Sequence, residues 1–292
     1  MKMFSMRLSL VLLALWSLET AAVTSGSLRR KLPEGGSNAA SGQIKAFVEL
    51  VSSTGRICSG VLIKPDIVAT AASCTFSDNG AGTADFTSQA YVKGTNTESE
   101  RGISRNWADY VVHPDYSYGS ETNNVAVILL SSPVETVETL DVNLWTTVDI
   151  GTSVMAAGYG SGRTDRGRDD LTLASLMILN EGAAGCITGN IDQVICADSD
   201  TQDMCEGDEG SPLMDGDNLV GIYSHGGACD PANGSPKFMR APYFRSFIQN
   251  ETCNLNAGYC SWLGSACQTI SNAFTNALTA LGFYASKADE GV

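Results

Sequence analysis

The chain has 292 residues, 43% of them hydrophobic, and a formal net charge of −14 with an isoelectric point near 4.4. That length and apolar content suit one large β domain or two smaller ones. The acidity excludes the basic footprint with which nucleic-acid binders displace counterions, and it disfavours anionic membrane surfaces; it favours a basic partner.

Residues 1–22 are expected to be a signal peptide. Lys2 and Arg7 give a positive start, Leu8 to Trp16 form a short apolar run, and Thr20-Ala21-Ala22 offers small residues for cleavage. The apolar run is too short to span a membrane, and no later stretch is longer. The mature protein is therefore expected to be secreted. Residues 23–32 form a basic flexible leader around Arg29-Arg30-Lys31. From Ile44 onward short β-type runs alternate with Asp, Asn, Gly and Pro clusters. Ala46–Val51, Val61–Ile63, Ile67–Thr70, Ala90–Lys93, Val125–Leu130, Ser153–Ala157, Gln193–Cys196 and Leu219–Ser224 are examples. Such spacing predicts an all-β barrel or sandwich.

No convincing helical period occurs before residue 240. Residues 250–292 form a separate extension in which Cys253, Cys260 and Cys267 recur every seven residues. Ile270, Phe274, Leu278 and Leu281 then follow a helical spacing, expected to dock on the barrel surface. All nine cysteines lie beyond the signal segment, which fits an oxidising compartment; nine is odd, so one is left over or pairs between chains. Asn233 and Asn250 head glycosylation sequons, the first followed by Pro236.

Three segments carry the chemistry. Cys58-Ser59-Gly60-Val61-Leu62-Ile63 is followed by Thr70-Ala71-Ala72-Ser73-Cys74. His113-Pro114-Asp115-Tyr116 is followed by Asn124-Val125-Ala126-Val127. The third runs Asp203-Met204-Cys205-Glu206-Gly207-Asp208-Glu209-Gly210-Ser211-Pro212. In order and spacing these resemble the C-G-G-x-L-I…T-A-A-H-C, H-P-x-Y…D-I-A-L-L and D-x-C-x-G-D-S-G-G-P segments of the trypsin/chymotrypsin family. Gly158-Tyr159-Gly160 is similar to its G-W-G. Gly221-Ile222-Tyr223-Ser224-His225-Gly226 is similar to G-I-V-S-W-G, and Arg240 to Ile248 to its terminal helix.

The resemblance covers about residues 33–249 and implies two antiparallel six-stranded β-barrels with the active site between them, then a short C-terminal helix. It implies disulfides Cys58–Cys74, Cys186–Cys196 and Cys205–Cys229, leaving Cys253, Cys260 and Cys267 unassigned. It also places the triad at Ser73, Asn124 and Glu209, where the family has histidine, aspartate and serine. A hydroxyl nucleophile needs a base, and the base needs an orienting group. Ser73 cannot be that base near neutral pH, and the Glu209 carboxylate would repel an oxyanion at the former oxyanion loop, Gly207 and Asp208. No catalytic residue, cofactor or metal is expected. Ser211 has no matched base, His113 and His225 read as loop or groove residues, and Glu206, Asp208 and Glu209 as loop and buried carboxylates.

Pro33-Glu34 stand in the places of the family's activation terminus, whose ammonium would pair with Asp208. The former specificity pocket falls on Asp203 and Gly226, with Pro236 or Lys237 at the opposite glycine wall. A filled pocket is expected, with Lys237 reaching Asp203. Taken together the chain resembles the secreted glucanase inhibitor proteins of oomycete plant pathogens, trypsin-like chains with a substituted triad. That resemblance implies a non-catalytic binder of a secreted host hydrolase, endo-β-1,3-glucanase, in the apoplast; the alternative is a protease homologue regulating a proteolytic cascade. A disulfide-linked dimer through the extension is a further expectation.

Overall fold

A computed structural model describes residues 37–39, 43–44, 46–53, 57–76, 88–92, 102–140, 145–159, 171–183, 186, 190, 192–200, 202, 204–205, 207–226 and 234–262. The expected signal and leader segments (residues 1–32), Pro33, Glu34, Asp203, Glu206, Cys229, Asn233, Cys267 and the run from Ile270 to Leu281 lie outside these residues.

The first barrel closes from six antiparallel strands: β2 (Phe47–Val51), β3 (Ile57–Lys64), β4 (Ile67–Thr70), β5 (Gln89–Val92), β6 (Ile103–Val112) and β7 (Ala126–Leu130). They are ordered β2-β3-β4-β7-β6-β5, with β5 returning to β2. Inside lie Val48, Leu50, Leu62, Val68, Val92 and Ile128, all within 1% of full burial. The second barrel uses β8 (Ser153–Gly158), β9 (Thr172–Ile178), β10 (Val194–Asp198), β11 (Pro212–Asp215), β12 (Asn218–His225) and β13 (Lys237–Arg240). Its order is β9-β10-β13-β12-β11-β8, closed by the β8–β9 pairing, and the short β1 (Ser37–Asn38) adds to β9. Leu176, Ile195, Leu213, Tyr223 and Phe238 fill it. The two-barrel architecture and the terminal helix are as the resemblance implies.

Every strand run named from the sequence coincides with an observed strand to within a few residues. The long β6 was not among those runs. Its Arg105, Asn106 and Asp109 interrupt the apolar pattern, and a register shift between Trp107 and Asp109 breaks the alternation on which strand reading depends.

Helix α1 (Ala241–Leu255) begins with Pro242 in its first turn, where a missing N–H is harmless. Its buried face, Phe244, Ile248, Thr252 and Cys253, packs into the core shared by the first barrel and strands β12 and β13. Each large apolar side chain so buried is worth about 1.5–3 kcal/mol. The helix runs unbroken through residue 250, so the extension begins inside it. A 3-10 turn (Ala257–Trp262) follows and folds back through the Cys253–Cys260 disulfide. Asn256 Nδ2 donates to Asp66 Oδ2 at 2.9 Å, fixing this turn to the β3–β4 corner. No helix among the described residues is long and apolar enough to cross a membrane.

Candidate functional site

The site lies where the barrels meet. Cys58–Cys74 and Cys186–Cys196 form as the resemblance implies, and Cys205 is also disulfide-bonded. Of the three unassigned cysteines, Cys253 and Cys260 pair with each other.

Ser73 sits in a 3-10 turn (Ala72–Thr75) at the end of β4, and Asn124 sits just before β7. The β4–β7 pairing brings them together. Asn124 Oδ1 accepts the Ser73 backbone N–H at 2.8 Å. Its Nδ2 donates to Ser224 Oγ at 2.8 Å and reaches Ser73 Oγ at 3.4 Å. Ser224 Oγ, having accepted that bond, has its own proton to give to His225 Nδ1, 2.9 Å away. His225 Nε2 faces the Glu121 carboxylate, Oε1 at 3.5 Å, which favours the ring proton on Nε2. A polar chain therefore crosses from the first barrel to the second and back: Ser73 and Asn124, then Ser224 and His225, then Glu121. Burial is the main cause that lowers the His225 pKa; Glu121 opposes it and Lys237 adds to it.

Glu209 is held on the opposite bank. Its carbonyl accepts the Ser59 N–H at 2.7 Å and lies 3.4 Å from Cys74 Sγ, beside Ser73. Its side chain turns back on its own loop, where Oε2 accepts the Gly207 N–H at 2.9 Å. The next residue, Gly210, has φ +86°, and a Cβ there would lie 2.0 Å from Ser59 O. Only glycine allows this close crossing of loop and barrel. Asp208 is fully buried, its Oδ2 accepts the Cys205 N–H at 3.0 Å, and a Cβ on Gly158 would sit 2.1 Å from its Oδ1.

Tyr223 stands where the family pattern has valine. It is 1% exposed, its ring lies 5.4 Å from that of Phe238, and its hydroxyl donates to the Gly226 carbonyl. A Cβ on Gly226 would meet Ser235 O at 2.6 Å, with Pro236 Cα next, so Ser235–Pro236 is the wall opposite Gly226. Lys237 pairs with His225 across β12–β13, and its ammonium lies 3.5 Å from Glu121 Oε2. The partner offered to it by the sequence, Asp203, lies outside the described residues.

His113 serves packing. Its ring lies 4.7 Å from Phe247 and 5.6 Å from Phe244, centroid to centroid, and docks α1 on the first barrel. Ser211 is fully buried and its backbone joins the second barrel through Asp208 and Tyr223. Asn250 is exposed on α1, whereas Thr252 of its sequon is buried. Sequence reasoning missed Glu121 and the packing of Tyr223 against Phe238 and Gly226. The large ring in the valine place was a readable signal for the second; nothing local marks the first.

The sequence profile of the trypsin family matches residues 33–248. Brachyurin of Leptuca pugilator is 32% identical over 202 residues, 67% of this chain and 87% of that protein. The vitellin-degrading protease of Bombyx mori is 26% identical over 212 residues, 68% of this chain and 77% of its own length. Trypsin iota of Drosophila melanogaster is 30% identical over 188 residues, 60% of this chain and 71% of its own. With two barrels, a terminal helix and the framework disulfides in the family arrangement, the chain belongs to the trypsin family.

Proposed function

We propose that this chain is a secreted, non-catalytic member of the family that acts by binding another protein. The observation that carries the reading is the Glu209 carboxylate on the Gly207 N–H. The resemblance places the oxyanion hole at that donor, and an anion already resident there competes with and repels a developing oxyanion. Ser73 offers no base at the histidine position, and the Tyr223 ring replaces the family's valine beside Gly226. Framework disulfides and a rigid barrel pair remain as a scaffold for recognition.

The partner we favour is a secreted host hydrolase, an endo-β-1,3-glucanase, whose inhibition would suppress plant defence. The reported relatives are animal proteases, which favours a second reading, a homologue regulating a proteolytic cascade. With Cys253 and Cys260 paired and Cys205 taking Cys229, Cys267 is the ninth cysteine and the one expected to link a dimer.

The purified mature protein should neither react with a serine-directed fluorophosphonate probe nor cleave Arg/Lys peptide substrates. Labelling that disappears in Ser211→Ala overturns the non-catalytic reading. Affinity capture from host extracellular fluid separates the partners: a glucanase supports the first, proteases or zymogens the second.

A further inference from the structure

Two donors of the second barrel converge on one carboxylate of the first. His225 Nε2 lies 3.5 Å from Glu121 Oε1, and Lys237 Nζ lies 3.5 Å from Glu121 Oε2. The donors are fixed. His225 and Lys237 are directly paired in the β12–β13 register, so the sheet sets their spacing. Ser224, itself held by Asn124, contacts His225 Nδ1 at 2.9 Å from behind, so Nε2 is the ring nitrogen turned to Glu121. Their side chains are only 30% and 14% exposed.

Glu121 differs in each respect. It stands on the connection between β6 and β7, two residues after Gly119 at φ +81°, and its side chain is 57% exposed. A charge-assisted N–H···O bond closes to about 2.7–2.9 Å, so contacts at 3.5 Å are loose. An ion pair with one exposed member is worth little net energy and is readily exchanged.

We propose that His225 and Lys237 form a receptor for a carboxylate on an acidic peptide segment of a partner protein, with Glu121 as its internal stand-in. Displacement would swing Glu121 into water and leave the incoming carboxylate between the same two donors. Glu209 on Gly207 N–H is a second internal carboxylate meeting a donor at the barrel junction. The net charge of −14 repels an acidic segment at long range, so affinity must come from these local donors against that field. The inference rests on the reading of the cleft as a binding site.

The chain has only two histidines, so His113 serves as an internal reference for His225 in a proton NMR titration. The probes are Gly-Gly-Glu-Glu-Gly-Gly, its Gln counterpart and sodium acetate. The proteins are the mature chain, Glu121→Ala, and Glu121→Ala combined with Lys237→Gln. Removing a weakly held stand-in raises apparent affinity by the reciprocal of the open fraction, about two- to sixfold for an exposed ion pair. The Glu peptide should shift the His225 ring resonance at about two- to sixfold lower concentration in Glu121→Ala than in the mature chain. The gain should vanish without Lys237, the Gln peptide should do nothing, and acetate should need far higher concentrations.

No gain on removing Glu121, or a gain that survives loss of Lys237, overturns the receptor. Acetate as potent as the peptide overturns the peptide assignment. Fluorophosphonate labelling of the same samples reports separately on catalysis: labelling sinks the non-catalytic reading, whereas unlabelled protein with no peptide gain sinks only the receptor.

Discussion

Asn124 shows how much one buried amide can organise. It is 3% exposed and joins the Ser73 turn to Ser224 on the opposite barrel. Replacing it with alanine leaves the Ser73 N–H without its acceptor, which should cost about 1–3 kcal/mol, read from the shift of the urea midpoint at constant slope. Asn124→Asp tests the direction of the chain. A carboxylate can only accept, so the Ser224 proton should turn to it and away from His225 Nδ1. That frees Nδ1 to be protonated and adds a nearby negative charge, so the His225 pKa should rise while that of His113 stays unchanged in the same NMR titration. An unmoved His225 would show that Ser224 does not relay the contact.

At the scale of elements, α1 and the turn after it bind the barrels into one body. His113 lies against Phe244 and Phe247, the Arg245 guanidinium donates to the Trp145 carbonyl, and Asn256 reaches Asp66. Tyr259 reports the same docking. Burial is the main cause that raises its phenol pKa, with further contributions from hydrogen bonding to Asp66 and from the charges of Asp66 and Glu135. The Cys253–Cys260 bridge closes a loop of sequence separation 7, for which chain entropy gives about 2 kcal/mol. The double variant Cys253→Ser, Cys260→Ser should lose about that much stability, with faster amide exchange at Asn256 and Tyr259 while the barrel amides stay protected. The helix after Arg240 was implied by the resemblance of Arg240 to Ile248 to the family's terminal helix. The disulfide was not, because three cysteines at equal seven-residue steps allow more than one pairing, and only the reversal of the chain after Leu255 selects one.

Across the whole molecule the two barrels meet through backbone. Gly210 lies against Ser59 and Thr70 with no room for a methyl group, so Gly210→Ala must move the Glu209 loop away from the first barrel. A loss of roughly 1–3 kcal/mol is expected, with the tryptophan spectrum of the barrels retained. The pH dependence is likewise a property of the assembled fold. Burial holds both His113 and His225 below the ordinary value of 6.5. Just below pH 6.5 the unfolded chain therefore binds more protons than the native one. The stabilisation is complete above that value and is lost as pH falls toward the native pKa values. Denaturation midpoints should fall through that window, and less so in His113→Gln with His225→Gln.

The sequence alone determined the scaffold. Turn residues between short apolar runs dictate a β fold, and three segments in fixed order resemble one two-barrel family. The residue types at 73, 124 and 209 are plain to read because side-chain chemistry is local. Only the tertiary structure decided what these side chains touch: the Glu209 carboxylate on its own Gly207 N–H, Asn124 as the link to Ser224, Tyr223 standing against Gly226, and Glu121 facing His225 and Lys237. Glu121 is separated from Lys237 by 116 residues, and no local pattern announces a contact that exists only once two closed barrels bring their loops face to face.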